Sequence, residues 1–257
     1  MPLTHFHAAT DVGLQRSNNE DSYLSMPFLG AWVVADGMGG HAAGEVASAI
    51  VCETIQEQLS KGVCLSDAIQ LSHKAVLEAA NRGVGGSGMG STVVALHSRG
   101  SEYDIGWVGD SRAYSYYPSR PKSLRQLTRD HSYVQYLVDS GVITPEEMHN
   151  HPEKNIITQC LGSTDLEQVD VGLVTAKWHN PQWVILCSDG LTDAVTDTEI
   201  TSILNKTTSV NDTTETLIRA ALNNGGRDNI TVQVISNPGG LARLVHSTTS
   251  TLSKIIP

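Results

Sequence analysis

The chain has 257 residues, 40% of them apolar and 17% charged, so it is long enough for one large domain with a sizeable core. Its 17 Lys and Arg residues against 27 Asp and Glu residues give a formal net charge of −10, which argues against a nucleic-acid-binding protein. No apolar run is long enough to span a membrane, the start lacks a leader pattern, and the four cysteines form no CxxC pair. We therefore expect a cytoplasmic protein without a membrane segment, disulfide scaffold or structural zinc.

Apolar runs rich in β-branched or aromatic residues predict strands. In chain order these runs are Ala31–Ala35, Thr92–Leu96, Ile105–Val108, Ala113–Tyr117, Trp183–Cys187 and Ile230–Ile235. Between the first two runs, apolar residues that recur every three or four positions predict a pair of amphipathic helices. The first set is Ala47, Val51, Ile55 and Leu59, and the second is Ala68, Leu71, Ala75 and Ala79.

Two further helix starts are marked by a threonine followed three residues later by a glutamate that can bond back to the cap amide. These pairs are Thr144 with Glu147, which opens a short helix, and Thr196 with Glu199. Strands in neighbouring groups and helices in pairs favour an α+β fold of antiparallel sheets covered by helices. The main domain is expected over 1–236, and the Ser/Thr-rich tail 237–257 is either a disordered extension or one docked helix.

Aspartates beside glycine or asparagine stand next to several of the predicted strands. The steps are Asp36-Gly37, Gly109-Asp110, Asp189-Gly190 and Asp228-Asn229. Asp beside Gly is ordinary turn chemistry at any one position. Four such steps at strand ends indicate a site, because adjacent strands that converge bring these carboxylates together.

A cluster of carboxylates requires protonation or a counterion. Two unit charges about 4 Å apart repel by roughly 4 kcal/mol at an effective dielectric near 20. A divalent cation removes this repulsion, and oxygen ligands without Cys or His partners favour magnesium, manganese or calcium over zinc.

Eight short motifs occur in the order typical of one family. They are Gly13–Arg16 (GLQR), Asn19–Ser22 (NEDS), Val34–Gly40 (VADGMGG), Gly88–Thr92 (GMGST), Gly109–Ala113 (GDSRA), Asp130–Ser132 (DHS), Ser188–Leu191 (SDGL) and Gly226–Thr231 (GRDNIT). With them the chain resembles the bacterial metal-dependent protein phosphatases of the phosphatase 2C family over about residues 8–236. The resemblance implies a four-layer sandwich of two antiparallel β-sheets flanked by pairs of α-helices.

The resemblance also implies a site with two core metal ions, Mn²⁺ or Mg²⁺. Asp36 corresponds to the carboxylate that bridges them, the carbonyl of Gly37 completes one ion's shell, and Asp189 and Asp228 complete the other's. A hydroxide shared by the two ions is the nucleophile, and the ions neutralise charge on the phosphoryl group. No protein nucleophile is needed.

Three residues near the start of the chain complete the implied site. Glu20 and Asp21 act mostly through metal-bound water, and Arg16 corresponds to the family's phosphate-binding arginine. A guanidinium can grip two phosphate oxygens, whereas a lysine offers a point charge. The alternative for Arg16 is a surface arginine in a polar segment.

The source of the leaving-group proton is open in this sequence. Met38 occupies the position where animal members of the family place a histidine proposed as the general acid. His41 is close in sequence, but its place at the expected start of a helix favours a capping or structural role.

Asp110 and Asp193 match positions that bacterial members use for a weak third ion, linked to the core through Asp189. Asp193 shares a face with Asp189 if residues 189–193 start a helical turn. The alternative is that Asp110 caps its own turn and Asp193 is solvated.

These residues predict a serine/threonine protein phosphatase that acts on phosphorylated proteins and opposes a bacterial Ser/Thr kinase, with neither nucleic acid nor membrane as partner. A flap over about 132–162 is expected to select protein substrates. One alternative is an inactive phosphatase fold that serves as a regulatory module, and retention of the metal aspartates and Arg16 disfavours it. The other is a metal-dependent phosphodiesterase, which the acidic balance disfavours.

Overall fold

The computed structural model describes residues 4–40, 43–120, 123–148, 150–240 and 242–246. Its strands are β1 (Phe6–Asp11), β2 (Asp21–Met26), β3 (Ala31–Met38), β4 (Gly90–Ser91), β5 (Val93–Arg99), β6 (Glu102–Val108), β7 (Arg112–Tyr116), β8 (Arg125–Gln126), β9 (Gly172–Lys177), β10 (Trp183–Cys187) and β11 (Ile230–Ser236). Its helices are α1 (Ala43–Ser60), α2 (Leu65–Asn81), α3 (Tyr133–Asp139), α4 (Pro145–Met148), α5 (Asp189–Thr192), α6 (Asp197–Lys206) and α7 (Val210–Asn223). Residues 242–246 are also helical.

The strands form two sheets, and all pairings among the described residues are antiparallel. The first sheet has the order β1-β11-β10-β7-β8. The second has the order β2-β3-β5-β6-β9, with β4 paired to β3. The first sheet therefore combines the first strand of the chain with the last two and with β7 and β8, whereas the second sheet is built from β2–β6 and β9.

Helices cover the outer face of each sheet. Val51 and Ile55 of α1 pack with Val33 of β3 on the second sheet. Leu204 of α6 and Leu217 of α7 pack in the same way against the first sheet. The four-layer α+β sandwich is confirmed.

A third apolar cluster lies between the two sheets and holds them together. Trp32, Leu96 and Ile105 from the second sheet meet Val184 and Ile235 from the first, and all five are fully buried. Full burial of such side chains stabilises the fold by about 1.5–3 kcal/mol each. The sandwich therefore places the ends of β3, β10 and β11 at one edge of a rigid core.

All six predicted strands occur, as β3, β5, β6, β7, β10 and β11. Five strands were not predicted: β1, β2, β8 and β9, which lie at sheet edges and are mostly only partly buried, and the two-residue strand β4. An edge strand that faces solvent does not need a continuous apolar run, so its sequence carries a weaker signal.

Both predicted helices of the first pair occur, but the predicted face of α2 is partly wrong. Leu71 is exposed, whereas Ile69, Ser72 and Val76 are buried with Ala68. Because successive residues of an α-helix are about 100° apart, the predicted stripe through Leu71 lies to one side of the face through Ile69, Ser72 and Val76 that packs.

The capping predictions hold to different degrees. Thr196 and Glu199 form the complete capping box of α6. At α4, the amide of Thr144 donates to the carboxylate of Glu147 at 2.7 Å, which is one half of the predicted box. The flap region also contains α3, which the sequence analysis missed.

Part of the predicted tail docks on the domain. His246 is almost fully buried, and its Nε2 lies 2.9 Å from the carbonyl oxygen of Pro27. Residues 247–257 lie outside the described part of the chain. Within the described ranges, the helices are all too short or too polar to cross a bilayer.

Candidate active site

Strands β2 and β3 bring two of the predicted site aspartates together. Asp21 at the start of β2 is paired in register with Asp36 on β3. Asp36 lies inside β3, two residues before its end, rather than beyond the strand as the sequence suggested. Directly paired residues of antiparallel strands have neighbouring side chains, so two carboxylates share one patch.

Gly37 follows Asp36 where the backbone of α1 comes closest to β3. A Cβ at Gly37 would lie 2.0 Å from the carbonyl oxygen of Gly44 and 2.6 Å from that of Glu20. Only glycine allows this approach. The backbone of Gly37 is therefore available at the site without a side chain in front of it.

The other aspartates come from the first sheet. Asp189 is the first residue of α5, just after β10, and Asp228 lies two residues before β11. Strands β10 and β11 are paired, and Gly190 lets the two segments pack closely, since a Cβ there would lie 1.9 Å from the carbonyl oxygen of Asn229. The carboxyl groups of Asp189 and Asp36, one from each sheet, are close enough for each to shift the pKa of the other.

The electrostatics of this cluster favour added positive charge. Burial raises the pKa of Asp36 well above its ordinary value, and the carboxylates of Asp21 and Asp189 add to the effect. Burial and the charge of Asp189 raise the pKa of Asp110 in the same way. Burial, with the charge of Asp228, also raises the pKa of Asp189. Carboxylates in such a setting are neutralised by a proton or a cation.

Asp21 combines two satisfied contacts with one free oxygen. Ser188 and Thr231 each donate a hydroxyl hydrogen bond of 2.7 Å to its Oδ2. Its Oδ1 is buried and has no hydrogen-bond partner. An orphaned buried carboxylate oxygen is costly unless a ligand satisfies it.

Arg16 lies at the mouth of the cluster. Its Nη2 donates to Oδ2 of Asp228 at 2.7 Å, and half of its side chain remains exposed. The hydrogen bond and the charge of Asp228 raise the pKa of Arg16 further. The structure thus brings the predicted phosphate-binding residue into direct contact with a predicted metal ligand.

Glu20 joins the N-terminal loop to helix α1. Its carboxylate accepts a hydrogen bond from the backbone of Gly44, and its carbonyl oxygen accepts from the amide of Gly37 at 3.1 Å and the hydroxyl of Ser48 at 2.6 Å. Burial raises the pKa of its carboxyl group. A carboxylate at the first turn of α1 also complements the helix dipole.

Asp110 and Asp193 lie on the side of the cluster nearest the flap. The predicted helical turn occurs, since the amide of Asp193 donates to the carbonyl of Asp189 at 2.8 Å. The carboxylate of Asp193 pairs with Lys154 of the flap, 2.9 Å away. Asp110 is held in place through Gly109, whose carbonyl accepts from the amide of His131 at 2.9 Å.

A groove of about 990 Å³ runs between the flap and the first sheet and ends at Asp110 and Asp189. Its walls include a residue pair that the sequence analysis did not single out: Arg112 donates through Nε and Nη2 to the carboxylate of Asp130, at 2.6–3.0 Å. Both lie in motifs that carried the family resemblance. The position of Lys154 at the site could not be predicted from the sequence, because it depends on an ion pair with Asp193, which is 39 residues away in the chain.

The donor set fits Mn²⁺ or Mg²⁺, although the side chains do not form a cage. Among the residues that the structure describes, no three His, Cys, Asp or Glu side chains are arranged to hold an ion together. Instead, Asp228 forms an ion pair with Arg16, and Asp193 forms one with Lys154. The carboxyl groups of Asp36 and Asp189 lie next to each other. The buried carboxylates, with their raised pKa values and the orphaned Oδ1 of Asp21, nevertheless provide hard oxygen donors in a site where carboxylates outnumber the cations Arg16 and Lys154.

Two positions bear on the proton donor. Met38 ends β3 and supplies no titratable group. His41 lies outside the described residues.

The fold and site define a class: a two-sheet α+β sandwich with an acidic, oxygen-only centre at its edge and an arginine at the mouth. The family model for protein phosphatase 2C matches residues 15–224. The chain therefore belongs to the protein phosphatase 2C family, and the resemblance inferred from its motifs is confirmed.

Individual relatives agree with this assignment. The chain is 37% identical over 241 residues to the serine/threonine protein phosphatase PstP of Mycobacterium tuberculosis, covering 90% of this chain but 45% of that protein. It is 36% identical over 244 residues to the serine/threonine phosphatase Stp of Listeria welshimeri, covering 90% of this chain and 95% of the relative. The chain thus spans about half the length of PstP and nearly all of Stp.

A crystal structure of the PstP catalytic domain in complex with two manganese ions has the same fold. It superimposes with a TM-score of 0.78 at 35% identity, covering 91% of this chain and 97% of that one.

Proposed function

We propose that this chain hydrolyses phosphoserine and phosphothreonine monoesters in proteins and uses Mn²⁺ or Mg²⁺ to do so. The observation that carries the proposal is the half-exposed guanidinium of Arg16 at the edge of a buried carboxylate cluster. A cation-binding cluster with an anion-binding group at its mouth suits a phosphate monoester. The relatives named as serine/threonine phosphatases support the same substrate class.

The proposed ligands of the two core ions are Asp36, the carbonyl of Gly37, Asp189 and Asp228, with Glu20 and Asp21 acting through water. Bound there, the ions supply an activated water and neutralise charge on the phosphoryl group. The two manganese ions of the PstP catalytic domain support this assignment.

Arg16 is proposed to orient the substrate. Its planar fork can donate two parallel hydrogen bonds to phosphate oxygens, which fixes the phosphoryl group in position as well as attracting its charge. Its present partner, Asp228, lies beside Asp189, so a phosphate gripped by Arg16 would face the carboxylate cluster.

Asp110 and Asp193 are proposed to hold a third, weaker ion and to support protonation of the leaving oxygen. The carboxylate of Asp193 is partly exposed and pairs with Lys154, which fits a site of low and variable occupancy. Because neither residue is a proposed ligand of the core ions, substitution of Asp110 or Asp193 tests the third ion separately.

We further propose that residues 1–236 form the catalytic domain, with a flap over about 132–162 that selects protein substrates, and that 237–257 form a separate tail. The groove between flap and first sheet supports the role of the flap. A cytoplasmic location and an opposing Ser/Thr kinase are part of the same proposal. The cysteines at 52, 64, 160 and 187 are free, which supports a reducing compartment.

The test is phosphate release from a phosphothreonine peptide, measured with manganese, with chelator and against a phosphodiester substrate. Manganese-dependent release from the peptide alone is expected. Release from the diester alone would favour a phosphodiesterase, and no release from either would favour a regulatory module.

A further inference from the structure

The side chain of Asn229 ties the N-terminal loop to the first sheet. It is almost fully buried, at 5% exposure. Its Oδ1 accepts a hydrogen bond from the amide of Glu20 at 2.7 Å, and its Nδ2 donates to the carbonyls of Val12 and Asn18, both at 2.9 Å. Both donor hydrogens and the acceptor are therefore used, and all three partners lie in one loop.

That loop carries Arg16. It runs from the end of β1 at Asp11 to the start of β2 at Asp21, so no strand or helix holds its middle. The two carbonyls bound by Asn229, at Val12 and Asn18, lie on either side of Arg16 in the sequence. The amide nitrogen of one side chain thus closes the loop around the arginine.

Asn229 is also adjacent to the present partner of Arg16. Asp228, the residue before it, accepts the 2.7 Å hydrogen bond from Arg16. The backbone amide of Asn229 donates to the other carboxylate oxygen of Asp228 at 2.9 Å. The segment Asp228–Asn229 therefore contacts both the loop that carries Arg16 and the guanidinium of Arg16 itself.

A flexible side chain on a loop needs such an anchor. The long arginine side chain loses about 2 kcal/mol of rotamer entropy when it is fixed, and a mobile backbone would add to that cost. Misplacement of a binding group by about 1 Å can cost up to about a hundredfold in rate.

We propose that Asn229 is a positioning residue, which fixes loop 12–20 so that Arg16 faces the phosphate of the substrate. The inference rests on the phosphate-binding role proposed for Arg16. It adds a residue that does not touch the substrate and acts only through the loop.

The kinetic test uses Asn229→Leu, which keeps the approximate shape without the hydrogen bonds, and Asn229→Ala. Each is expected to raise KM for a phosphothreonine peptide about tenfold and to change kcat by less than about threefold, because uniform substrate binding is lost. In an Arg16→Ala background the same substitutions are expected to leave KM unchanged. Effects on KM that multiply in the double variants would overturn the proposal, since Asn229 would then act independently of Arg16.

Asn224→Leu is the matched control. Asn224 is an exposed asparagine whose Nδ2 donates to the carbonyl of Ala194 at 2.8 Å, outside the N-terminal loop. Its substitution is expected to leave KM unchanged. A rise in KM equal to that of the Asn229 variants would show a general loss of stability and would count against positioning.

Trypsin gives a readout that needs no activity, because the bond after Arg16 lies within the anchored loop. Cleavage between Arg16 and Ser17 is expected to be at least about tenfold faster in the Asn229 variants than in the wild type or Asn224→Leu. Unchanged cleavage would overturn the anchor even if the phosphatase activity is real. Faster cleavage in a protein without phosphatase activity would leave the anchor standing and reject the proposed function.

The wild-type protein supplies a measurement that does not depend on a variant that folds. The amide of Glu20, bonded to Asn229, is expected to exchange its hydrogen at least about tenfold more slowly than the amide of Ser17. Equal exchange rates would overturn the anchor.

Discussion

Lys154 of the flap and Asp193 at the end of α5 form an ion pair across the groove, with Nζ 2.9 Å from Oδ2. The lysine therefore occupies the carboxylate that is proposed to bind a third cation. An ion pair this exposed is worth at most about 1 kcal/mol, so a divalent ion can compete with it. Lys154 of the flap and a third ion would then compete for the carboxylate of Asp193.

The third site is tested by Asp110→Ala and Asp193→Ala in a manganese titration. Both variants are expected to lose turnover while they still bind two ions, because the core ligands are untouched. Lys154→Ala should act in the opposite direction and lower the manganese concentration needed for full turnover by about twofold to fivefold. Wild-type turnover of both aspartate variants at every manganese concentration would remove the third site from the mechanism.

Replacement of Asp36, Asp189 or Asp228 by Ala should lower turnover by at least about a thousandfold, because each change removes a ligand proposed to hold the core ions. The Asp36 and Asp189 variants should melt no lower than the wild type in chelator, since each substitution relieves repulsion among buried carboxylates. Manganese at a hundredfold excess over its Kd should stabilise the wild type by about 3 kcal/mol, and the variants by less. Full activity of Asp36→Ala in saturating manganese would contradict the two-ion assignment.

Arg16→Ala should raise KM for a phosphopeptide, and Arg16→Lys should restore only part of the loss. The lysine keeps the charge but cannot make two parallel hydrogen bonds to a phosphate. Steady-state kinetics of the three proteins provide the comparison. An unchanged KM in Arg16→Ala would show that the phosphate binds elsewhere.

The flap should matter for proteins and not for small substrates. Trimming or exchanging residues 132–162 is expected to change the turnover of a phosphoprotein more than the hydrolysis of an aryl phosphate. A small ester can reach the carboxylate cluster without contacting the flap residues that line the groove. Equal effects on the two substrates would argue that the flap supports the fold of the site instead.

Much of the fold could be predicted because the central strands are continuous apolar runs. The six predicted strands all occur, whereas the edge strands β1, β2, β8 and β9 and the two-residue strand β4 were missed. Residues on a half-exposed edge strand need not be apolar. In addition, β1 and β9 pair with strands that are far away in the sequence.

The sequence singled out the aspartates and Arg16 that the structure brings together, because these stand in short motifs beside strands. The contacts that orient them were not predictable. Asn229 bonds to residues more than 200 positions away, and Lys154 meets Asp193 only because the flap folds back over α5. Such partners are chosen by tertiary geometry, which a local pattern does not carry.

His97 gives a prediction about stability that is independent of the site. It lies on β5 with 9% of its surface exposed, paired across to Asp104 of β6. Burial lowers the pKa of His97 to about 4; the carboxylate of Asp104 opposes this shift, and the charges of Arg99 and His246 add to it. The native protein therefore holds this imidazole neutral at a pH at which an unfolded chain would protonate it.

The sign of the effect follows from the difference in bound protons. Between pH 6.5 and pH 4 the unfolded state takes up a proton at His97 that the native state does not, so the free energy of unfolding falls as the pH falls. The full contribution of this one group is about 3 kcal/mol, and it is complete near pH 4. His97→Gln removes the titration, so its stability should decline less than that of the wild type over this range. Denaturant unfolding at pH 7, 6, 5 and 4 measures the difference, with His179→Gln, a change at an exposed imidazole, as the control. Parallel pH profiles for the wild type and His97→Gln would mean that His97 is protonated in the native state or freely hydrated there.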